Sequence, residues 1–246
     1  MRLFLCIIKL DMVVAIILLV LGAISSAIFI ASKVINYSFK TIVFKTIASL
    51  FFVALGIYLF IIMEGHFLFK LFLLLGLIFG MLGVVLLGFK YITTKTKKIW
   101  ILAGMFAFAF GHISYITALF VEYYIPGNVI FIFLPFITAT VLSIGYMIIS
   151  RKLGISFGKL LPFGVFYLFC LSSMLSTSLW MAILNHFSIL TGVLFFIGAL
   201  FFATSDCMLT GAYFKAGQRP KPYLAIYSVC YYVAQFLIAF SLFFLI

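Results

Sequence analysis

Residues Leu200–Thr210 read LFFATSDCMLT, a carboxylate inside a run of aromatic and aliphatic residues. Asp206 is one of four acidic residues in a chain of 246, and what surrounds it decides the fold. Hydrophobic residues make up 67% of the chain and charged residues 8%, with a mean hydropathy of +1.42. A soluble domain of this length would have to turn most of that surface to water, so the solvent is lipid. Eight apolar stretches, at about residues 12–32, 41–63, 71–89, 99–121, 128–149, 161–183, 188–210 and 222–246, are long enough to cross roughly 30 Å of hydrocarbon as helices. Their apolarity is continuous, not alternating, which selects helices over barrel strands. The expected fold is an all-α membrane protein, a compact bundle of eight transmembrane helices in one domain over residues 1–246. Every connection is short, so no soluble domain or linker is expected.

The net charge of +12 orients this bundle and does not point to nucleic acid. Thirteen of the sixteen basic residues fall on one side: Lys33, Lys40 and Lys45; Lys90, Lys95, Lys97 and Lys98; Arg151, Lys152 and Lys159; Lys215, Arg219 and Lys221. Arg2, Lys9 and Lys70 occupy the other. By the positive-inside rule the rich side is cytoplasmic and both termini lie outside. Cleaving the first segment as a signal peptide would leave seven spans and reverse that arrangement, so it reads as a true span. The expected partners are membrane lipids. The four cysteines, Cys6, Cys170, Cys207 and Cys230, lack C-x-x-C spacing, and the histidines His66, His112 and His186 are scattered, so neither metal nor cofactor is expected.

Small residues recur at helical spacing: Gly76, Gly80 and Gly83; Gly104, Gly111 and Ala118; Gly192, Ala199 and Ala203. Such stripes let helix backbones approach closely in lipid. Pro135 is the only proline well inside a span, so the broken helices of many transporters are weakly signalled.

Asp206 continues the third stripe, Gly192–Ala199–Ala203–Asp206–Thr210, and should face other helices. With the span ending at 210, it lies about 6 Å from the cytoplasmic end. A carboxylate deep in lipid costs about 2.5 to 3.5 kcal/mol, so one facing a bundle interior usually has a role. The plainer reading is an interfacial aspartate bonded to a lysine or a helix end. Lys45 lies at nearly the same depth, where it either pairs with Asp206 or snorkels to the headgroups. His112 and Tyr115 share a face at i, i+3, consistent with a structural histidine–tyrosine bond between helices. Ser228, Tyr231, Tyr232 and Gln235 share another face, which a buried Gln should turn inward. Ser172, Ser173, Ser176 and Ser178 are expected to bond backbone carbonyls, and Glu64 and Glu122 to be solvated at span ends. Together these residues outline a polar column open at the cytoplasmic side. Such a column suits an intramembrane enzyme, a solute pathway or a structural polar core.

Five segments in order, FKTIASL at 44–50, GLIFGMLGVVLL at 76–87, MFAFAFGHISYITALF at 105–120, GALFFATSDCML at 198–209 and YSVCYYVAQFLI at 227–238, resemble the YhhN family of integral membrane proteins, which includes the lysoplasmalogenases. The resemblance implies eight membrane helices and hydrolysis of the vinyl ether bond of a lysophospholipid substrate, a lysoplasmalogen. The products would be a fatty aldehyde and glycerophosphoethanolamine or glycerophosphocholine. It further implies a catalytic Asp206 supported by Ser205, by Gly111, His112 and Tyr115, by Lys45, and by Tyr231, Tyr232 and Gln235. The expected location is a bacterial plasma membrane.

One match fails. The family's third-span element typically ends in Gly-Asp, whose Asp is proposed to work with the seventh-span Asp; here the sequence is Gly83-Val84. Vinyl ether hydrolysis begins with proton delivery to carbon, and an acid paired with a carboxylate divides that work naturally. With Val84 the pair is broken. The alternatives are therefore an active hydrolase, a catalytically silent lipid-binding relative, and a small-solute transporter. Reach from Asp206 to His112 would support a two-group mechanism; isolation beside Lys45 would favour the silent relative.

Overall fold

The computed structural model describes residues 2–93, 95–123, 130–185, 189–217 and 219–245; His186 and the side chains of Arg2, Cys6 and Lys9 lie outside the described residues. Within them run eight α-helices: α1 Arg2–Ile35, α2 Phe39–Ile62, α3 Phe67–Phe89, α4 Lys97–Tyr123, α5 Ile130–Lys152, α6 Leu161–Leu184, α7 Leu190–Phe214 and α8 Lys221–Ser241. Each supplies a segment long and apolar enough to cross a membrane, and the protein is an integral membrane protein. No strand occurs among the described residues; a lone bridge joins Ile155 to Lys215.

Successive helices pack as hairpins, with α3–α4 the most extensive pair. The glycine stripes explain this closeness. A Cβ on Gly104 would lie 3.2 Å from the Gly83 carbonyl oxygen, and one on Gly111 would lie 3.3 Å from that of Gly76. The two backbones meet where lipid gives no hydrophobic drive for association. Helix α8 packs on α7, α1, α2 and α3 and is the most buried, whereas α5 leans on α6 at the edge. The core between them is aromatic, with Phe52, Phe195, Phe202 and Tyr115 all but inaccessible.

Helix ends are closed by local chemistry. The Ser38 N–H donates to Thr41 Oγ1 at 3.2 Å as α2 begins. Lys70 Nζ donates to the carbonyls of Phe60 at 3.2 Å and Met63 at 2.5 Å, capping the other end of α2. Gly65 (φ 67°) and His66 (φ 48°) turn the chain sharply into α3. Glu122 departs from expectation: His66 Nδ1 lies 2.7 Å from its Oε1, and it is no free solvated cap, whereas Glu64 is exposed. Ser176 Oγ donates to the Pro135 carbonyl at 2.7 Å and Ser178 Oγ to that of Leu175 at 2.8 Å, as expected of serines in membrane helices. Ser173 Oγ is buried without a partner among the described residues.

The depth of Asp206 needs correction. Helix α7 continues to Phe214, four residues past the expected end of the span, so Asp206 lies about 12 Å inside it, not 6 Å. Apolarity marks where lipid is met, and a helix shielded by neighbours need not stop there.

Candidate active site

Asp206 is 3% exposed. The hydroxyl of Tyr167, on α6, donates to its Oδ2. His112, on α4, stands on the far side of that hydroxyl, with Nε2 3.4 Å from Tyr167 Oη and Nδ1 3.3 Å from Met174 Sδ. A thioether can only accept, so the Met174 contact places the histidine proton on Nδ1 and leaves Nε2 facing Tyr167 as an acceptor. The single hydroxyl hydrogen of Tyr167 therefore has two acceptors, Asp206 and His112. His112 reaches Asp206 only through Tyr167, an arrangement between the two outcomes posed by the sequence.

Two cavities meet at Asp206. One is lined by Ile101, Met105, Leu168, Leu171, Phe157 and Phe214 and is almost wholly apolar. The other is lined by Lys33, Lys45 and a group of tyrosines that includes Tyr37, Tyr91, Tyr227 and Tyr232. Asp206, Leu87, Phe108, Leu209 and Tyr213 line both. Val84 lines the second cavity together with Asp206, so the position without a carboxylate does belong to the same site.

Lys45 neither pairs with Asp206 nor snorkels. It is 7% exposed, its Nζ lies 5.7 Å from the centre of the Phe29 ring, and the one ion pair among the described residues joins His66 to Glu122. Lys33, counted in sequence as a connection charge, bends inward: Nζ donates to Ser228 Oγ at 2.6 Å and lies 3.7 Å from the centre of the Tyr227 ring. Behind the cavity, Lys90 Nζ sits against the Tyr213 ring and 4.5 Å from the centre of Tyr91. Burial, with the charges of Lys45, Lys97 and Lys33, pushes its ammonium down to about 5.

The remaining sequence candidates separate into two roles. Tyr115 donates to Gln235 Oε1 at 2.7 Å, Gln235 Nε2 donates to Tyr231 Oη at 3.3 Å, and Tyr231 donates to the Gly80 carbonyl at 2.8 Å. That chain ties α4, α8 and α3 together and gives both the oxygen and the nitrogen of a buried amide a partner. Tyr232 contacts the Lys45 carbonyl at 3.2 Å and Ser49 Oγ at 3.3 Å, and Ser205 donates to the Tyr227 carbonyl at 2.8 Å. Tyr231, Tyr232 and Ser205 also line the second cavity; Tyr115, Gln235 and His112 line neither. Among the described residues no group of His, Cys, Asp or Glu is placed to hold a metal.

Sequence reading missed Tyr167, Lys33 and the tyrosine lining. The available signal at Tyr167 was a hydroxyl amid FGVFYLFC, which must find an acceptor in lipid. The family model for the YhhN family matches residues 36–242, nearly the whole chain. The chain belongs to the YhhN family. No curated protein and no solved structure matches it. The YhhN match begins after α1, so Phe29 and Lys33 enter the second cavity from outside the matched region.

Proposed function

We propose that this YhhN-family protein hydrolyses the vinyl ether bond of a lysoplasmalogen or a related single-chain amphiphilic ether, with Asp206 as the acid. One observation carries the reading: Asp206 stands in the shared wall of an apolar cavity and a lysine–tyrosine cavity. A lysoplasmalogen has the same division, an alkenyl chain and a glycerophospho-headgroup joined at the bond to be cut. The chain would lie in the first cavity and the headgroup in the second, setting the vinyl ether at the carboxyl group.

The chemistry follows from that placement. Asp206 gives its proton to the β-carbon of the vinyl ether, forming an oxocarbenium ion. Water adds to the α-carbon and returns a proton to the carboxylate. The resulting hemiacetal collapses to a fatty aldehyde and the free glycerol hydroxyl. Tyr167 suits both halves of the cycle, because its hydroxyl hydrogen can turn to Asp206 when that oxygen is bare and to His112 Nε2 when it carries the proton. Purified protein in detergent should release aldehyde from a lysoplasmalogen, and Asp206→Asn should abolish the release. We further propose that the basic end of the bundle faces the cytoplasm, by the positive-inside rule.

A silent lipid-binding role is the second reading. It is favoured by Val84, which lines the cavity with Asp206 and offers no second carboxylate. It predicts saturable lysophospholipid binding without turnover.

A further inference from the structure

We propose that the lysine–tyrosine cavity selects a phosphate group carrying no compensating cation, so that the preferred lipid is a single-chain lysophosphatidic-acid-type molecule and not a choline or ethanolamine lipid. The phosphate selectivity rests on the cavity alone; the attached chain rests on the reading of the apolar cavity given above.

Two lysines, Lys33 and Lys45, line this cavity close enough to repel one another, and neither is in an ion pair among the described residues. Lys33 meets only neutral acceptors, Ser228 Oγ at 2.6 Å and the Leu224 carbonyl at 3.4 Å. Lys45, 7% exposed, has no hydrogen-bond acceptor among the described residues. A buried ammonium normally has a counter-charge or a full set of acceptors, because leaving water without them is costly. Neither lysine has an acidic partner among the described residues. Asp11 accepts from Tyr58 at 2.8 Å, Glu122 pairs with His66, Glu64 is exposed, and Asp206, which lines the cavity, accepts from Tyr167 and makes no ion pair with either lysine. An anion in contact with Lys33 and Lys45 is what the cavity lacks. The Tyr37 hydroxyl, buried on its wall without a partner among the described residues, adds a donor suited to a phosphate oxygen.

A zwitterionic headgroup fits poorly for a second reason. Choline is recognised by open aromatic faces or by carboxylates. Tyrosine faces are abundant, but lysine side chains already cover them: Lys33 lies over Tyr227 at 3.7 Å, and Lys90 over Tyr91 and against Tyr213. An incoming ammonium would meet the Lys33 ammonium and covered rings where it needs open faces. Because α1 lies before the residues matched by the family model, the Lys33 contribution is read from this chain alone.

The test is binding to the purified protein in detergent, read by the shift in unfolding temperature. The probes are acyl lysophosphatidic acid, lysophosphatidylcholine of the same chain, glycerol 3-phosphate and inorganic phosphate; none contains a vinyl ether, so no turnover is needed. Lysophosphatidic acid should bind about tenfold or more tightly than lysophosphatidylcholine. Lys45→Met and Lys33→Met should each remove most of that preference, and Tyr37→Phe, which leaves the charges in place, should reduce it. The two headless phosphates should bind more weakly than the lipid and lose binding in the same lysine variants. Equal or tighter binding of lysophosphatidylcholine, or an undiminished preference in folded lysine variants, overturns the proposal. Glycerol 3-phosphate or inorganic phosphate binding as tightly as the lipid overturns the lipid assignment and leaves a site for free phosphate. Aldehyde release is measured separately on alkenyl lipids of each headgroup. Anion-selective binding with no aldehyde from any of them removes the hydrolase reading alone, and aldehyde release without anion preference removes this inference alone.

Discussion

Tyr167 on α6 and Asp206 on α7 are joined by a hydrogen bond from the tyrosine hydroxyl to Oδ2, and the same hydroxyl lies 3.4 Å from His112 Nε2 on α4. Three helices thus hold one carboxyl group in a fixed orientation at the junction of two cavities. Tyr167→Phe keeps the ring and its packing against Phe108, 6.4 Å between centroids, and removes only the hydroxyl. Aldehyde release from a lysoplasmalogen should fall about tenfold to a hundredfold, with an unfolding temperature near that of the native protein. A Tyr167→Phe protein that stays folded and fully active would show that the hydroxyl has no part in the chemistry.

Val84 lines the lysine–tyrosine cavity with Asp206 and Lys45. Val84→Asp places a second carboxyl in the same space, where one group can act as acid while the other stabilises the oxocarbenium ion. Aldehyde release should rise at least about tenfold over the native protein, the scale of a positioned acid or base. Val84→Leu, which adds volume without charge, should not raise it. Absence of aldehyde from both the native protein and Val84→Asp would favour the silent lipid-binding reading.

The sequence made the helices plain because lipid demands continuous apolarity, and it marked the close-packing faces of α3 and α4 because only small residues allow such approach, without saying that the two faces meet each other. Gly76, Gly83, Gly104 and Gly111 all sit in that seam. It did not mark where α7 ends, since Gly211–Phe214 remain helical beyond the apolar run. Asp206 stood out because a charge in such a segment has few excuses. Its partner did not, because the choice of Tyr167 depends on how α6 is rotated against α7, and spacing along one chain carries no such information. Lys33 looked like a topological charge for the same reason: its inward bend is fixed by Ser228 and Tyr227, nearly two hundred residues away.

The α7–α8 seam offers a test of packing independent of chemistry. A Cβ on Gly198 would stand 2.8 Å from Ile238 Cγ1 and 3.0 Å from the Ala234 carbonyl oxygen, and backbone cannot yield as a flexible side chain can. Gly198→Ala should therefore force the helices apart and cost about 1 to 3 kcal/mol, read as a lower unfolding temperature in detergent. Gly145→Ala, with nothing within 4 Å of the added carbon, should leave that temperature unchanged or slightly raised.

Lys90 sets a pH dependence whose sign can be worked out. Burial and three neighbouring lysines hold its pKa near 5 in the folded protein, against an ordinary value of 10.5. Between those limits the unfolded chain binds the proton and the folded chain does not, so through this residue stability rises with pH and is progressively lost as pH falls toward 5. Lys90→Met keeps the apolar stem against Tyr213 and removes the titration. Its unfolding temperature should exceed that of the native protein, most at pH 6 and least near pH 10, and its curve should be the flatter of the two. Saturating lysophosphatidic acid should narrow the same gap at pH 6, because an anion in the cavity favours the charged lysine. A native protein whose stability is as flat with pH as that of Lys90→Met would place the Lys90 ammonium in contact with solvent.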